Sequence, residues 1–467
     1  MRQTLKPEKN FFFPTLFVTG VFLAIISGSF LTEGMFLDGV IYSAVAKSLS
    51  QGVGSFWDLS YADGSPFVGH PPLAIGLQSL FYHLLGDNWH VDKIYSVFTI
   101  FISAIILFFI WKELEMELRN FWMVLLLWLL VPTVFWSSTN NLLENTMSVF
   151  ILLSVWAYLK SLKSHRFIYC FLQGVMLFLA FLCKGFTGLY PLALPFFYWL
   201  FTKDRKFINA VQDTLFVLSG LVIAALLTFS ISTTAFHCIE NYLRTQVIFS
   251  LSQVKTTDSR FFILLSFLSD MIIPSIIVIS VLVIGKLQKS VAMDSRNARL
   301  CCIFFAVALS GVIPIMISMK QSSFYIITIF PYTALALGCL ISPTITNIRF
   351  SDKTRVIFRS ISVLVFILSI GLNIYFCGKV GRDKDMLADI HAILPYIPEK
   401  TTVGTTIPMK TNYHFWAYLE RYQSITYDIT QTSASYLITS ADDNTADSSY
   451  CLIETGAKDF YLYKRND

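Results

Sequence analysis

Apolar residues run from Phe11 to Cys377 in stretches of span length, separated by short polar and often basic breaks. Each stretch is long enough to cross ~30 Å of hydrocarbon as an α-helix. The pattern predicts spans near 11–31, 92–111, 120–138, 143–160, 167–183, 186–202, 213–235, 261–285, 300–318, 322–342 and 356–377. The first follows a basic flank (Arg2, Lys6, Lys9), is longer than a signal-peptide core and has no small-residue cleavage site behind it, so it reads as a retained span. One apolar run, from Pro71-Pro72-Leu73 to Gly86, is short for a crossing and reads as a helix packed at the outer membrane edge.

The distribution of Lys and Arg orients this array. With the N-terminus inside, eighteen basic residues between Arg2 and Arg355 fall on inner loops, against seven (Lys47, Lys93, Lys184, Arg244, Lys255, Arg260 and Lys320) on outer ones. Counting 73–86 as a span would reverse that balance. The expected fold is therefore an all-α polytopic membrane protein of about eleven transmembrane helices, residues 1–377, with a first outer loop over 32–91. Beyond 377 the chain turns polar, and Pro395 and Pro398 bound a linker. Short strands at Thr402–Thr406, Ser424–Tyr427, Tyr436–Thr439 and Phe460–Tyr463, with a helix at Tyr413–Tyr422, predict a small extracytoplasmic α/β domain over 378–467.

Composition agrees with the periodicity. The chain is 55% hydrophobic and 14% charged, where a soluble chain carries about 25% charged residues. Its net charge of +5 is dispersed between apolar runs, which excludes a nucleic-acid partner. Six of the eight cysteines lie in or beside spans as small apolar residues. Cys238 and Cys451 could meet outside, but two residues are no disulfide pattern.

Ionisable groups at span ends are expensive and ask for a reason. Asp38 lies just past the first span in Asp38-Gly-Val-Ile-Tyr42; His70 precedes Pro71-Pro72; Glu144 sits at the mouth of the fourth span. Lys184 occupies a Cys-Lys-Gly turn, and Lys320 precedes Gln321-Ser322-Ser323-Phe324-Tyr325. Taken singly, Asp38 could cap a helix over 40–49, His70 could be a solvated turn residue, and either lysine could snorkel to headgroups. Together, two carboxylates, a histidine and two lysines on one face form a site for an anionic lipid headgroup. A sugar on a lipid phosphate already has a good leaving group. Its transfer needs one carboxylate to take the proton of an incoming hydroxyl and fixed positive charge to hold the departing phosphate. Asp38 suits the first role, and His70, Lys184 and Lys320 the second. Glu144 could orient the acceptor, with Tyr42 beside it, or join Asp38 in binding a divalent metal ion.

At these residues the chain resembles the GT-C glycosyltransferases of the protein O-mannosyltransferase and aminoarabinose-transferase-like group. The resemblance lies in the order over 11–345: Asp38-Gly-Val-Ile-Tyr-Ser-Ala, His70-Pro71-Pro72-Leu73, Glu144, Lys184-Gly185, then Lys320 with Tyr325 and Pro331. It implies transfer of a sugar from a polyprenyl-phosphate donor to a hydroxyl of a lipid, glycan or protein outside the cytoplasm, as in a bacterial inner membrane. It further implies Asp38 as the catalytic carboxylate, and His70, Lys184, Lys320 and Tyr325 as donor-phosphate ligands. The chain departs from the group's pattern where a second acidic residue often follows the first (Gly39), where Lys often precedes the prolines (His70), and where an acidic residue precedes that Lys (Gly69). No cofactor is required beyond the possible metal.

Two other classes use similar carriers. A lipid-linked glycan ligase or polymerase concentrates Arg and His in a large late outer loop, whereas here the long outer loop comes first and the later one, 236–260, holds only His237, Arg244 and Arg260 among such residues. A flippase or transporter shows inverted repeats and broken spans with ionisable groups at mid-depth. Here no repeat is visible and the ionisable groups gather at one face.

Overall fold

The computed structural model describes residues 12–249, 254–292, 294–429, 434–443 and 449–466; the basic flank Arg2, Lys6 and Lys9 lies outside them. The chain begins with α1 (Phe12–Phe30), α2 (Leu37–Ser50), a hairpin of β1 (Gly54–Ser55) and β2 (Asp58–Leu59), α3 (Leu73–Leu85) and α4 (Val91–Glu113). There follow α5 (Phe121–Leu129), α6 (Pro132–Ser137), α7 (Leu143–Ser161), α8 (Arg166–Lys184), α9 (Leu194–Thr202), α10 (Phe207–Ile231) and α11 (Thr233–Tyr242). The bundle closes with α12 (Phe262–Asp270), α13 (Ile272–Leu287), α14 (Ser295–Val312), α15 (Phe330–Asn347) and α16 (Asp352–Phe376).

Seven of these helical runs are long and apolar enough to cross a membrane, and α12 with α13, bent by 41°, makes an eighth. The remaining predicted crossings depart from single apolar helices for identifiable reasons. The run 120–138 breaks between α5 and α6 because Pro132 has no N–H to give and its ring clashes with a continuing helix. The run 186–202 begins as two short 3₁₀ turns, carrying Pro191, before α9 takes over with Pro195 in its first turn. α7 is continuous for 19 residues but opens on the polar Glu144-Asn145-Thr146.

Helices pair closely where small residues permit it. A β-carbon on Gly174 of α8 would stand 1.9 Å from the Val217 carbonyl of α10, and one on Gly220 would stand 2.0 Å from the Phe171 carbonyl. α1 packs along α16, and α7 lies between α4 and α8. Large apolar side chains on α10, α13 and α16, among them Leu226, Ile276 and Ile367, face outward without protein cover, as expected for a surface solvated by lipid tails.

The polar tail is a separate layer. β3 (Thr402–Thr405) runs parallel to its neighbours β4 (Thr426–Asp428) and β5 (Tyr436–Ser440), while β7 (Phe460–Arg465) is antiparallel to both β5 and β6 (Tyr450–Ile453), giving the order β4-β3-β5-β7-β6. Helices α17 (Lys384–Ile393), α18 (Ile407–Lys410) and α19 (Tyr413–Gln423) complete it. Of these elements, β6, α17 and α18 are additions to the sequence-based expectation. Every cysteine is free, Cys238 and Cys451 included.

The tail is bolted to the first loop. Arg421 of α19 donates to Asp92 (2.9 Å), Asp87 (2.8 Å) and the Asn88 carbonyl (2.9 Å). Asp92 also accepts from Gln78 at 3.1 Å and from Tyr82. Lys47 of α2 donates to the carbonyls of Arg421 and Tyr422, and α19 packs along α2. The opposite end of the bundle gathers a basic cluster, where Lys160 and Lys163 pair with Glu113, Lys163 with Glu115, and Arg296 with Glu115. α7 runs from Glu144 to Lys160 and α8 from Arg166 to Lys184, so the sequence-predicted site and this cluster lie at opposite ends of the same helices.

Candidate functional site

α2 carries Asp38 in its first turn, and Ile41 and Tyr42 fall three and four residues on, along the same face. The short segment before α7 fixes that helix in place. Asn140 accepts the Phe36 N–H at 2.8 Å, and Asn141 donates to the Gly39 carbonyl (3.2 Å), Ser43 (3.0 Å) and Gln78 (3.1 Å). Asn141 takes a left-handed conformation, φ 50°, which Asn tolerates better than most residues. A β-carbon on Gly39 would lie 2.1 Å from the Asn140 carbonyl, and one on Gly69 would lie 2.8 Å from the Phe67 ring. The backbone therefore closes the Gly39 position to any side chain, whereas at Gly69 only the end of the Phe67 ring would have to move.

Glu144 and Lys184 meet because of helix ends. Glu144 lies in the first turn of α7 and Lys184 is the last residue of the adjacent α8. The helix dipoles favour an anion at the first position and a cation at the second. Lys184 donates to Glu144 in an ion pair buried on both sides. Its Nζ also stands 5.1 Å from the Phe324 ring centre and 5.0 Å from that of Tyr325. Gly185 then turns the chain at φ +94°, where Tyr242 reaches back to the Lys184 carbonyl at 3.1 Å.

Lys320 sits in the connector between the 3₁₀ turns Ile313–Ile317 and Ser323–Ile329. Gln321 pins that connector, accepting from Ile263 N at 2.9 Å and donating to the Ser318 carbonyl at 2.8 Å. Lys320 Nζ lies 3.5 Å from Gln246 Oε1. Gln246 belongs to a stretch of π-helix, Leu243–Ile248, a wide turn that is common at functional sites.

The five ionisable residues converge on two cavities with a shared wall. One, of about 390 Å³, is lined by Asp38, Tyr42, Tyr61, Phe36 and Ser322. The other, of about 410 Å³, is lined by Glu144 and the mostly apolar Phe186, Val247, Pro314 and Ile315. His70, Lys184, Gln246, Lys320 and Tyr325 line both.

Electrostatics distinguish the members. Among the described residues no hydrogen bond or ion pair reaches the Asp38 carboxylate. Burial pushes its pKa up, and the charges of Lys184 and Lys320 oppose that rise. His70 is held well below the usual imidazole range by burial and by the same two lysines, so near neutrality it acts as a neutral donor or acceptor; its ring stands edge-on to Tyr42 at 5.6 Å. Burial and Lys184 lower the pKa of Lys320, against the pull of Asp38. Among the described residues His70 Nδ1 and Glu144 Oε2 are buried without a hydrogen-bond partner, which marks a place where a ligand can supply one.

The carboxylates do not make a cation site as they stand. Among the described residues no three His, Cys, Asp or Glu side chains converge on a point that could hold a metal ion. Lys184 already occupies Glu144. Sequence reasoning passed over Gln246, Asn141 and Tyr61; only the Asn140-Asn141 pair carried a signal, as polar residues beside Glu144 at a span mouth.

A family described as dolichyl-phosphate-mannose-protein mannosyltransferase matches residues 69–232. No curated protein sequence matches the chain. Among solved structures, ArnT from Cupriavidus metallidurans bound to undecaprenyl phosphate superposes with a TM-score of 0.68 at 12% identity, covering 96% of this chain and 97% of that one. The apo state of the same protein gives a TM-score of 0.67 at 12% identity, covering 96% of each chain. At this identity the likeness speaks for the fold. The chain is a multi-pass membrane protein with the GT-C fold, similar to the protein mannosyltransferases over 69–232 and to ArnT over nearly its whole length.

Proposed function

We propose that this chain is an inverting glycosyltransferase that moves a sugar from a polyprenyl-phosphate donor to a hydroxyl on a lipid, glycan or protein. One observation carries the reading: a polar and a largely apolar cavity share a wall holding two lysines, and a carboxylate without a hydrogen bond or ion pair among the described residues faces the polar one. The apolar cavity suits a lipid tail, the shared wall a phosphate, and the polar cavity a sugar with its acceptor. Asp38 takes the acceptor's proton as the hydroxyl oxygen bonds to the anomeric carbon. The bond from that carbon to the phosphate oxygen breaks, and Lys184, Lys320 and a hydrogen bond from His70 hold the departing anion. Direct displacement inverts the anomeric centre. Glu144 keeps Lys184 in place, while Tyr42 and Tyr325 shape the two sides of the wall.

The fold's likeness to ArnT, whose structure holds undecaprenyl phosphate, supports a lipid-phosphate donor. The same reading places residues 1–377 as the membrane unit and 378–467 as an extracytoplasmic domain. Its basic end faces the cytoplasm, as in a bacterial inner membrane.

The test is transfer of labelled sugar from a polyprenyl-phosphate donor in proteoliposomes containing extracted lipid and glycan acceptors. Asp38→Asn is expected to fold and insert normally and to lose about 10²–10⁴-fold of the rate. Transfer at the normal rate would remove Asp38 as the base.

A further inference from the structure

A third cavity lies between the first loop and the tail domain. It encloses about 360 Å³ and is walled by Ile41, Tyr61, Asp63, Trp416, Glu420 and Tyr427. Its chemistry is one-sided: aromatic rings and two carboxylates line it, and no Lys, Arg or His does so among the described residues. Trp416 lies against Tyr427 with ring centres 4.5 Å apart, and its indole N–H is spent on the Met409 carbonyl at 3.0 Å. The indole therefore offers its face rather than a donor, while the hydroxyls of Tyr61, Tyr413, Tyr427, Ser65 and Thr426 also line the cavity. Glu420 accepts the Ala62 N–H at 2.7 Å. Burial pushes its pKa up to about 7, with Asp63 adding to the rise and the Ala62 N–H and Lys47 opposing it. Lys47 is committed elsewhere, to Asp87 at 2.8 Å and to two carbonyls of α19.

Carboxylates that lack a cation, set among aromatic faces, recognise an organic cation through charge and ring quadrupole together. We infer that this cleft binds a primary ammonium group carried by a sugar or by a lipid headgroup. Ile41 and Tyr61 also line the cavity that contains Asp38, and Ile41 lies one helical turn beyond Asp38, about 5 Å along the axis. An amine held here keeps the rest of its carrier beside the carboxylate, which makes the cleft a subsite for an amine-bearing acceptor. That connection rests on the transferase reading; the binding of the amine does not.

The experiment is a ligand-observed NMR titration of the purified full-length chain in detergent. The probes are glucosamine and glycerophosphoethanolamine, with N-acetylglucosamine and glycerol 3-phosphate as amine-free controls. At least one amine is expected to bind tenfold or more tightly than its control. A preference confined to glucosamine assigns the sugar source, and one confined to glycerophosphoethanolamine the headgroup. Glu420→Gln keeps an acceptor for Ala62 and should erase the preference, while Asp38→Asn should retain it. Where Glu420→Gln does not fold, Asp63→Asn on the exposed turn carries the test, with an expected threefold loss. Equal binding of amine and control, or a preference indifferent to these substitutions, overturns the inference. A wild-type chain that prefers the amine but transfers no sugar leaves the cleft standing and removes the transferase reading. Transfer without any amine preference does the reverse.

Discussion

Glu144 and Lys184 depend on each other more than either depends on solvent, since the glutamate is fully buried and the lysine nearly so. Removing one partner strands the other as an uncompensated buried charge, at a cost of about 3–5 kcal/mol. Lys184→Met is therefore expected to lower thermal stability in detergent and to abolish sugar transfer. Adding Glu144→Gln should restore most of the stability and none of the transfer, because the anion's partner is still missing. A melting series with a parallel transfer assay checks both. Charged residues of this kind were legible in the sequence because they are conspicuous in an apolar chain. Gln246 and Glu420 were not, for two reasons. Neutral amides carry no such contrast, and a glutamate on a polar helix of the tail looks like any solvated residue until burial is known.

At the scale of elements, apolar run length found the seven long helices and the bent pair, but not the internal breaks of the other runs. Pro132 and Pro191 were visible, yet a run of span length reads the same whether the helix continues or restarts. The edge strand β6, Tyr450–Ile453, escaped, for its two middle residues are exposed and it shows no buried face. Close helix crossings were equally hidden, since a glycine in a span has no signature until its neighbour is known. Gly174 shows what that hides: its missing β-carbon lets α10 approach. Gly174→Val should force the helices apart and cost about 1–3 kcal/mol, the usual penalty of overpacking, while Gly28→Ala, with open space around it, should be near neutral. Comparative thermal unfolding of the two variants decides this.

Across the whole molecule, several side chains tie the tail to the first loop, among them Lys47, Tyr418, Tyr422 and Arg421. Arg421 spans Asp87, Asp92 and the Asn88 carbonyl, and its guanidinium stands 4.9 Å from the Tyr82 ring centre. Arg421→Ala leaves Asp92 buried with only Gln78 and Tyr82, at an expected cost of about 3–5 kcal/mol. Because α19 packs along α2, the variant should also slow transfer while leaving Asp38 itself intact. Limited proteolysis between α16 and α17 should then become faster than in the wild type, and an unchanged cleavage rate would show that the tail is held by other contacts. None of this docking was readable beforehand, because it joins residues more than three hundred positions apart.

In the proposed reaction the wall between the two larger cavities would also govern timing. The lysines that oppose the rise in Asp38's proton affinity line both cavities and are the ones proposed to hold the donor phosphate. An anion that draws on their charge returns the carboxylate to greater basicity, and by reciprocity a deprotonated Asp38 weakens the anion's hold. The base thus strengthens when the leaving group is seated and relaxes when it departs. On the proposed mechanism, donor arrival would be the clock of the reaction, and an acceptor that enters first would meet a carboxylate not yet primed to take its proton.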